Sequence, residues 1–305
     1  MKKVTLLLAG AFALLTSCEK NDSSPINNGQ PGFTAEKRKH AKLHLNIQGL
    51  TPLGSNGKYE GWIIVDGVPL STGRFVIDED GMLAPSHFNL NANDLAAASM
   101  FVLTIEPNPD SDPAPSSTHI LAGVFSGNGA LLSVAHPAAL GNDFTSATGK
   151  FLLATPTTSS MADEDKGVWF IDNSSGMGMP GFNLPTLPAG WKYEGWTVIN
   201  GQPVTTGTFL TNNVADDAAP FSGPLMGPPF PGEDYIMNAP AGILFPPDLS
   251  GAPIVLTIEP YPDNSPAPFT PLKPLVGSVP MSPSVHTTYN LSNNASTFPT
   301  GTASR

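Results

Sequence analysis

Carboxylates stand at matched places in two stretches of this 305-residue chain. Glu106 follows Thr104-Ile105 and precedes Pro107, with Asp110 just beyond; Glu259 follows Thr257-Ile258 and precedes Pro260, with Asp263 just beyond. Glu60 and Glu194 lie upstream in two Lys-Tyr-Glu-Gly-Trp segments. A turn carboxylate paired with Glu60 or Glu194 could do glycosidase-type acid/base chemistry if the two carboxyl groups stood ~5–9.5 Å apart. The acidic turns Asp110-Ser111-Asp112 and Asp263-Asn264 could also offer oxygens to calcium. Their spacing is not that of an EF-hand loop, however, and each holds few carboxylates. The competing reading is that each glutamate accepts backbone amides and shapes a proline-rich turn. The doubling favours this reading, because an element of fold recurs in both copies whereas an active site normally occurs once. No residue is therefore assigned to catalysis, and the chain is read as a non-enzyme without metal or cofactor.

Other chemistry is sparse. The six histidines include no His-x-His pair, and no zinc site is expected. Neither a Gly-x-Ser-x-Gly elbow nor a phosphate-binding glycine loop occurs. Trp62 and Trp196 would suit carbohydrate or peptide if exposed; beside Ile63-Ile64 and Thr197-Val198 they are expected to be core.

The elements that must position these residues are themselves doubled. Lys58 to Trp62, Asp66-Gly67, Pro69, Thr72-Gly73 and Phe75 return as Lys192 to Trp196, Asn200-Gly201, Pro203, Thr206-Gly207 and Phe209. Val102 to Pro107, Asp110 and Pro113-Ala114-Pro115 return as Val255 to Pro260, Asp263 and Pro266-Ala267-Pro268. Such self-similarity marks a duplicated folding unit. Tyr59, Trp62, Gly73, Phe75, Glu106 and Pro107, with Tyr193, Trp196, Gly207, Phe209, Glu259 and Pro260, are read as its structural motif. Apolar residues alternate with polar ones in Leu43, Leu45 and Ile47 and in Phe101, Leu103 and Ile105, as strands require. Asp66-Gly67 and Asn200-Gly201 sit between such runs, a strong hairpin signal. Helical signals are nearly absent, and the best candidate, Asn93 to Met100, allows a turn or two. An all-β fold follows: two tandem antiparallel β-sandwich units, immunoglobulin-like or barrel-like.

Residues 41–156 are expected to form the first unit, 157–165 a linker, 166–292 the second unit and 293–305 a disordered tail. The second unit carries an insertion over 216–248. Its aromatics, and Phe230, Glu233, Asp234 and Tyr235 in particular, are expected to form a binding loop, since long loops on rigid scaffolds tend to hold function.

At the N-terminus, Lys2-Lys3 and the apolar run Val4 to Leu15 have the form of a signal peptide. Leu15-Thr16-Ser17-Cys18 resembles a bacterial lipobox, which implies cleavage before Cys18 and a lipid on its thiol. Residues 1–18 are thus read as a signal and 19–40 as a flexible linker, with Cys18 anchoring the protein to a membrane outside the cytoplasm. Cys18 is the sole cysteine, so no internal disulfide can form. A net charge of −11 with only 13% charged residues disfavours nucleic acid as a partner.

The succession Tyr-Glu-Gly-Trp, hairpin, Thr-Gly-x-Phe, then Thr-Ile-Glu-Pro and a polar Pro-Ala-Pro turn resembles the extracytoplasmic domain of anti-sigma-K factors. The likeness falls on Tyr59 to Phe75 and Thr104 to Gly123, and again on Tyr193 to Phe209 and Thr257 to Gly277. The chain departs from that pattern at Gly61 and Gly195, and where the family has Gly-Gly-Ser in the turn. In that family a cytoplasmic helical domain, joined by a membrane-spanning helix, holds the sigma factor. The chain shows neither, so the resemblance implies only the outer, sensory half, with no sigma factor as direct partner. The expected role is sensing, binding or envelope organisation, with an envelope protein or glycan as partner. The alternative is a secreted glycan-binding protein or hydrolase using acidic and aromatic loops.

Overall fold

The computed structural model describes residues 39–160, 163–263 and 265–305. The predicted signal, Cys18 and nearly all of the 19–40 linker lie outside the described residues. The strands of the first half are β1 (His40–Gln48), β2 (Gly57–Val65), β3 (Val68–Ile77), β4 (Leu83–Ala84), β5 (His87–Asn91), β6 (Met100–Pro107), β7 (His119–Val124), β8 (Gly129–Ser133) and β9 (Thr148–Leu153). A short α-helix, α1 (Ala92–Ala97), lies between β5 and β6, with Asn91 accepting from the amides of Asn93 and Asp94 at its start, and a 3-10 turn covers Ala295–Thr297. The second half holds β10 (Gly167–Trp169), β11 (Ile171–Asp172), β12 (Met179–Pro180), β13 (Phe182–Asn183), β14 (Trp191–Ile199), β15 (Gln202–Phe209), β16 (Gly232–Asp234), β17 (Pro253–Pro260), β18 (Leu275–Ser278), β19 (Tyr289–Asn293) and β20 (Thr300–Ser304). No helix among the described residues is long and apolar enough to cross a membrane.

The protein is all-β, with two large antiparallel sheets. The first has the order β4-β3-β2-β6-β7-β8-β20-β1-β5; the second runs β15-β14-β17-β18-β19-β9-β10-β16, with β13 added beside β9. Phe75 of β3 meets Phe88 of β5 with ring centroids 6.1 Å apart, so the first sheet curls until its ends approach. One apolar core runs through both sheets, from Tyr59, Phe75 and Phe101 to Phe170, Tyr193 and Phe209. The middle strands are covered on both faces: β6 turns Phe101, Leu103 and Ile105 to that core, while Val102 packs with Trp62, Ala122 and Ala139 in a smaller cluster. Both predicted hairpins form. Asp66 (φ 50°) and Gly67 (φ 79°), like Asn200 (φ 53°) and Gly201 (φ 81°), adopt the positive φ that a two-residue hairpin turn needs.

The run β3-β2-β6-β7-β8-β20-β1-β5 of the first sheet corresponds in order to β15-β14-β17-β18-β19-β9-β10-β16 of the second, and the correspondence corrects two expected boundaries. β9 lies between β19 and β10 in the second sheet, although it falls within 41–156. β20 lies between β8 and β1 in the first sheet, although it falls within the expected disordered tail 293–305. Each half thus lends its last strand to the other. The tail is ordered because both edges of β20 are hydrogen-bonded and Ala303 is fully buried. Residues 157–165 are also more than a linker: Thr157 is buried, and its amide donates to Asp234 Oδ2 at 2.8 Å.

Candidate functional site

The motif residues build the same hydrogen-bonded core twice. In the first copy, Trp62 Nε1 donates to Thr104 Oγ1 at 2.9 Å, and the Thr104 hydroxyl donates to Glu106. Glu106 in turn receives the Ser116 amide at 3.0 and 3.2 Å, which ties the end of β6 to the far side of the Pro113-Ala114-Pro115 turn. In the second copy Trp196 donates to Thr257 at 2.9 Å, Thr257 to Glu259, and the Phe269 amide to both Glu259 oxygens at 2.9 and 3.1 Å. Tyr59 and Tyr193 reach the carbonyls of Thr51 and Pro185. A bulge at Gly61/Trp62 recurs at Gly195/Trp196. Both glycines are obligatory, because a Cβ would lie 2.4 Å from Thr72 Oγ1 in one copy and 2.3 Å from Thr206 Oγ1 in the other. Trp62 and Trp196 are 4% and 2% exposed and serve as core, as expected.

Around each glutamate chain a second pair of carboxylates gathers, and here the copies part. Ser71 donates to Glu60 Oε1 at 2.5 Å, as Thr205 does to Glu194 Oε1 at 2.5 Å. In the first copy Arg74 sits opposite Glu60 in the ladder, bonds Glu60 Oε2 through Nε at 2.7 Å and reaches Asp110 through Nη2. In the second copy the residue opposite Glu194 is Thr208. Glu194, Glu259 and Asp263 there offer oxygens that all lie within 4.8 Å of one another. Burial pushes the Glu194 carboxyl up to about 7 and that of Glu259 up to about 8, the latter helped by the charges of Glu194 and Asp263. Asp263, partly exposed, is raised by the same burial.

A cleft of about 630 Å³ opens between residues 51–57, the end of β6 and residues 116–118 before β7 in the first half and the proline-rich turn after β17 in the second. Its walls include Thr51, Glu106 and Ser116 from the first half and Glu259, Tyr261 and Asp263 from the second. Tyr261 is half exposed, with Lys192 Nζ 4.3 Å from its ring centre. Lys192 is itself paired with Asp217.

Three of the four residues expected in a binding loop lie inside the protein, which corrects their assignment; Phe230 is partly exposed. Glu233, Asp234 and Tyr235 are fully buried. β16 pairs with β10, Trp169 Nε1 donates to Asp234 Oδ1 at 2.7 Å, and Ser222 donates to Glu233. Phe230 packs on Leu152, Trp169 and Ile171. Phe221, Tyr235 and Phe245 form an aromatic trio with centroids 5.5–6.3 Å apart. A segment this rich in aromatics is more stable covered than wet. Of the residues expected to carry the motif, Trp62 and Glu106, like Trp196 and Glu259, are linked through a threonine, and Phe75 and Phe209 stack on Tyr59 and Tyr193; Arg74 was missed. The contrast of Gly73-Arg74-Phe75 with Gly207-Thr208-Phe209 is visible in the sequence, at the single variable place of that motif.

Fold and site together define a class: an all-β protein of two strand-sharing halves with a cleft lined by both. No protein-family model, curated protein or solved structure matches the chain.

Proposed function

We propose that this chain is a non-catalytic binding protein of the bacterial envelope, anchored by lipid on Cys18, in which two copies of an anti-sigma-K-like extracytoplasmic module together form one ligand cleft. The observation that carries the reading is the cleft itself. Both copies contribute to it, the first through residues 51–57, the end of β6 and residues 116–118, the second through its proline-rich turn, and its size falls within the range of ligand sites, ~300–1,000 Å³. A binding role fits the turn glutamates better than catalysis does. Glu106 and Glu259 accept equivalent backbone amides, those of Ser116 and Phe269, and so shape the same turn in both copies. Tyr261, an exposed aromatic on the wall, suits a sugar ring or a proline side chain of an envelope partner.

A glycan array and an extended-peptide array on the full chain in detergent test this reading, together with a hydrolase panel. Binding lost in Tyr261→Ala, without turnover of any ligand, is the expected result. Turnover of a glycan that Glu259→Gln abolishes would instead establish the hydrolase alternative. The anchor is tested separately: palmitate should label the parent and not Cys18→Ala.

A further inference from the structure

We propose that Glu194, Glu259 and Asp263 bind one divalent cation, calcium, in the place that the Arg74 guanidinium fills in the first copy. The two copies supply the argument as an internal comparison. Glu60, Glu106 and Asp110 are the counterparts of Glu194, Glu259 and Asp263 in strand, register and hydrogen bonding. Asp110 Oδ1 accepts the Asp112 amide just as Asp263 Oδ1 accepts the Ser265 amide. In the first copy a positive charge joins Glu60 to Asp110. In the second, Thr208 stands at the arginine's place and turns its hydroxyl to Asp217. Among the described residues no lysine, arginine or histidine forms an ion pair with Glu194, Glu259 or Asp263.

A second observation points to a ligand. Glu194 is only 5% exposed, and its Oε2 has no hydrogen-bond partner although Oε1 is held by Thr205. A buried carboxylate oxygen without a donor is costly and calls for a cation or proton. The donor set selects the ion. Three carboxylates without nitrogen or sulfur suit a hard cation, and calcium tolerates irregular oxygen shells completed by water. Two oxygens on opposite sides of a calcium ion stand about 4.6–5.2 Å apart, and the three oxygens here fit inside that span. Asp263 and Glu259 also line the cleft, so the ion is reachable from solvent and would brace one wall. The inference does not depend on the cleft's having an organic ligand.

Calorimetric titration with calcium chloride on the full chain in detergent, after stripping with a chelator, tests it. One calcium per chain is expected, with an affinity in the ~10⁻⁴–10⁻³ M class of extracellular calcium modules, and a higher Tm when calcium is added. Thr208→Arg, which copies the first half's guanidinium into the second, should weaken calcium binding at least ~10-fold and remove the Tm response. Glu194→Gln, which keeps an acceptor for Thr205, should do the same if Thr208→Arg fails to fold. Arg74→Thr should raise the stoichiometry towards two. No calcium binding by the parent up to about 10 mM, above that affinity class, would overturn the proposal. So would unchanged binding in Thr208→Arg and Glu194→Gln.

Discussion

Gly149 and Gly301 hold the same position in opposite sheets: Gly149 pairs with Leu291 of β19, and Gly301 pairs with Leu132 of β8. Each belongs to a Thr-Gly strand that ends one half in sequence and completes the other half in space. The exchange makes the two halves interdependent, since neither sheet is continuous without a strand from its neighbour. Both glycines are packed too closely for a side chain: a Cβ would lie 2.7 Å from Leu275 at Gly149, and 2.6 Å from the Asn46 carbonyl at Gly301.

Removal of residues 300–305 is therefore expected to destabilise the whole protein and not merely shorten it. The truncation unpairs both β8 and β1 and also removes Arg305, whose guanidinium donates to the carbonyls of Leu95 and Ala98 at 2.6 and 2.8 Å. Gly301→Val, a milder change, should cost on the order of 2–3 kcal/mol through the forced backbone shift. Thermal unfolding checks both. A truncated chain that melts with the parent would show that the exchanged strand contributes nothing.

The Trp-Thr-Glu relay predicts a graded response. Thr104→Val leaves Trp62 Nε1 buried without an acceptor and removes a donor from Glu106, so a loss of about 1–3 kcal/mol is expected. Thr257→Val should cost a similar amount in the second half. Pairing Thr104→Val with Trp62→Phe should cost less than the two singles combined, because the orphaned donor is gone. Denaturant unfolding of the four variants measures this; additive losses would mean that the relay is not a unit.

Local signals carried most of what was legible in the sequence. Alternation in Leu43 to Ile47 and the positive-φ pairs Asp66-Gly67 and Asn200-Gly201 are written in neighbouring residues, so strands and hairpins could be read directly. The clamping role of Glu106 and Glu259 followed from their repetition before a proline-rich turn. β20 was hidden because Thr-Gly-Thr-Ala-Ser has almost no apolar signature; its burial comes from two distant strands. Glu233 and Asp234 look like surface by charge, yet Ser222, Thr157 and Trp169 satisfy them inside. The site contrast lay in Arg74 against Thr208, one of several places where the two copies differ, and nothing local marks it as the one beside the buried carboxylates.

Stability should fall as pH rises through neutrality. Burial holds the Glu233 carboxyl up at about 7 and that of Asp216 up at about 8, against ordinary values near ~4 in the unfolded chain. Between those limits the folded state binds more protons, so the stabilisation present below pH ~4 is lost as the folded values are passed. Glu194 and Glu259 act in the same direction. The expected outcome is a higher Tm at pH ~5.5 than at pH ~8.5. Glu233→Gln, which cannot ionise, should flatten the slope by on the order of 2–3 kcal/mol across that range. A Tm that climbs with pH would contradict the burial of these groups.

The insertion of the second half offers the sharpest test of surface against core. A mobile binding loop would tolerate deletion of Pro224 to Glu233 with little change in melting. The structure predicts the reverse, because the segment supplies β16 residues that pair with β10, the Gly232 amide held by Asp216 at 2.9 Å, and the Phe230 ring on Trp169. Deletion uncovers Trp169 and strands Ser222 without Glu233, losses that together exceed the ~1 kcal/mol of an ordinary surface change. Met226→Ala is the control: that side chain is 94% exposed and its removal should leave the Tm within about 1 °C of the parent. Indole fluorescence reports the same contrast, a red shift on deletion as Trp169 meets water and none in Met226→Ala. A deleted chain that retains parental melting and emission would return the segment to the class of surface loops.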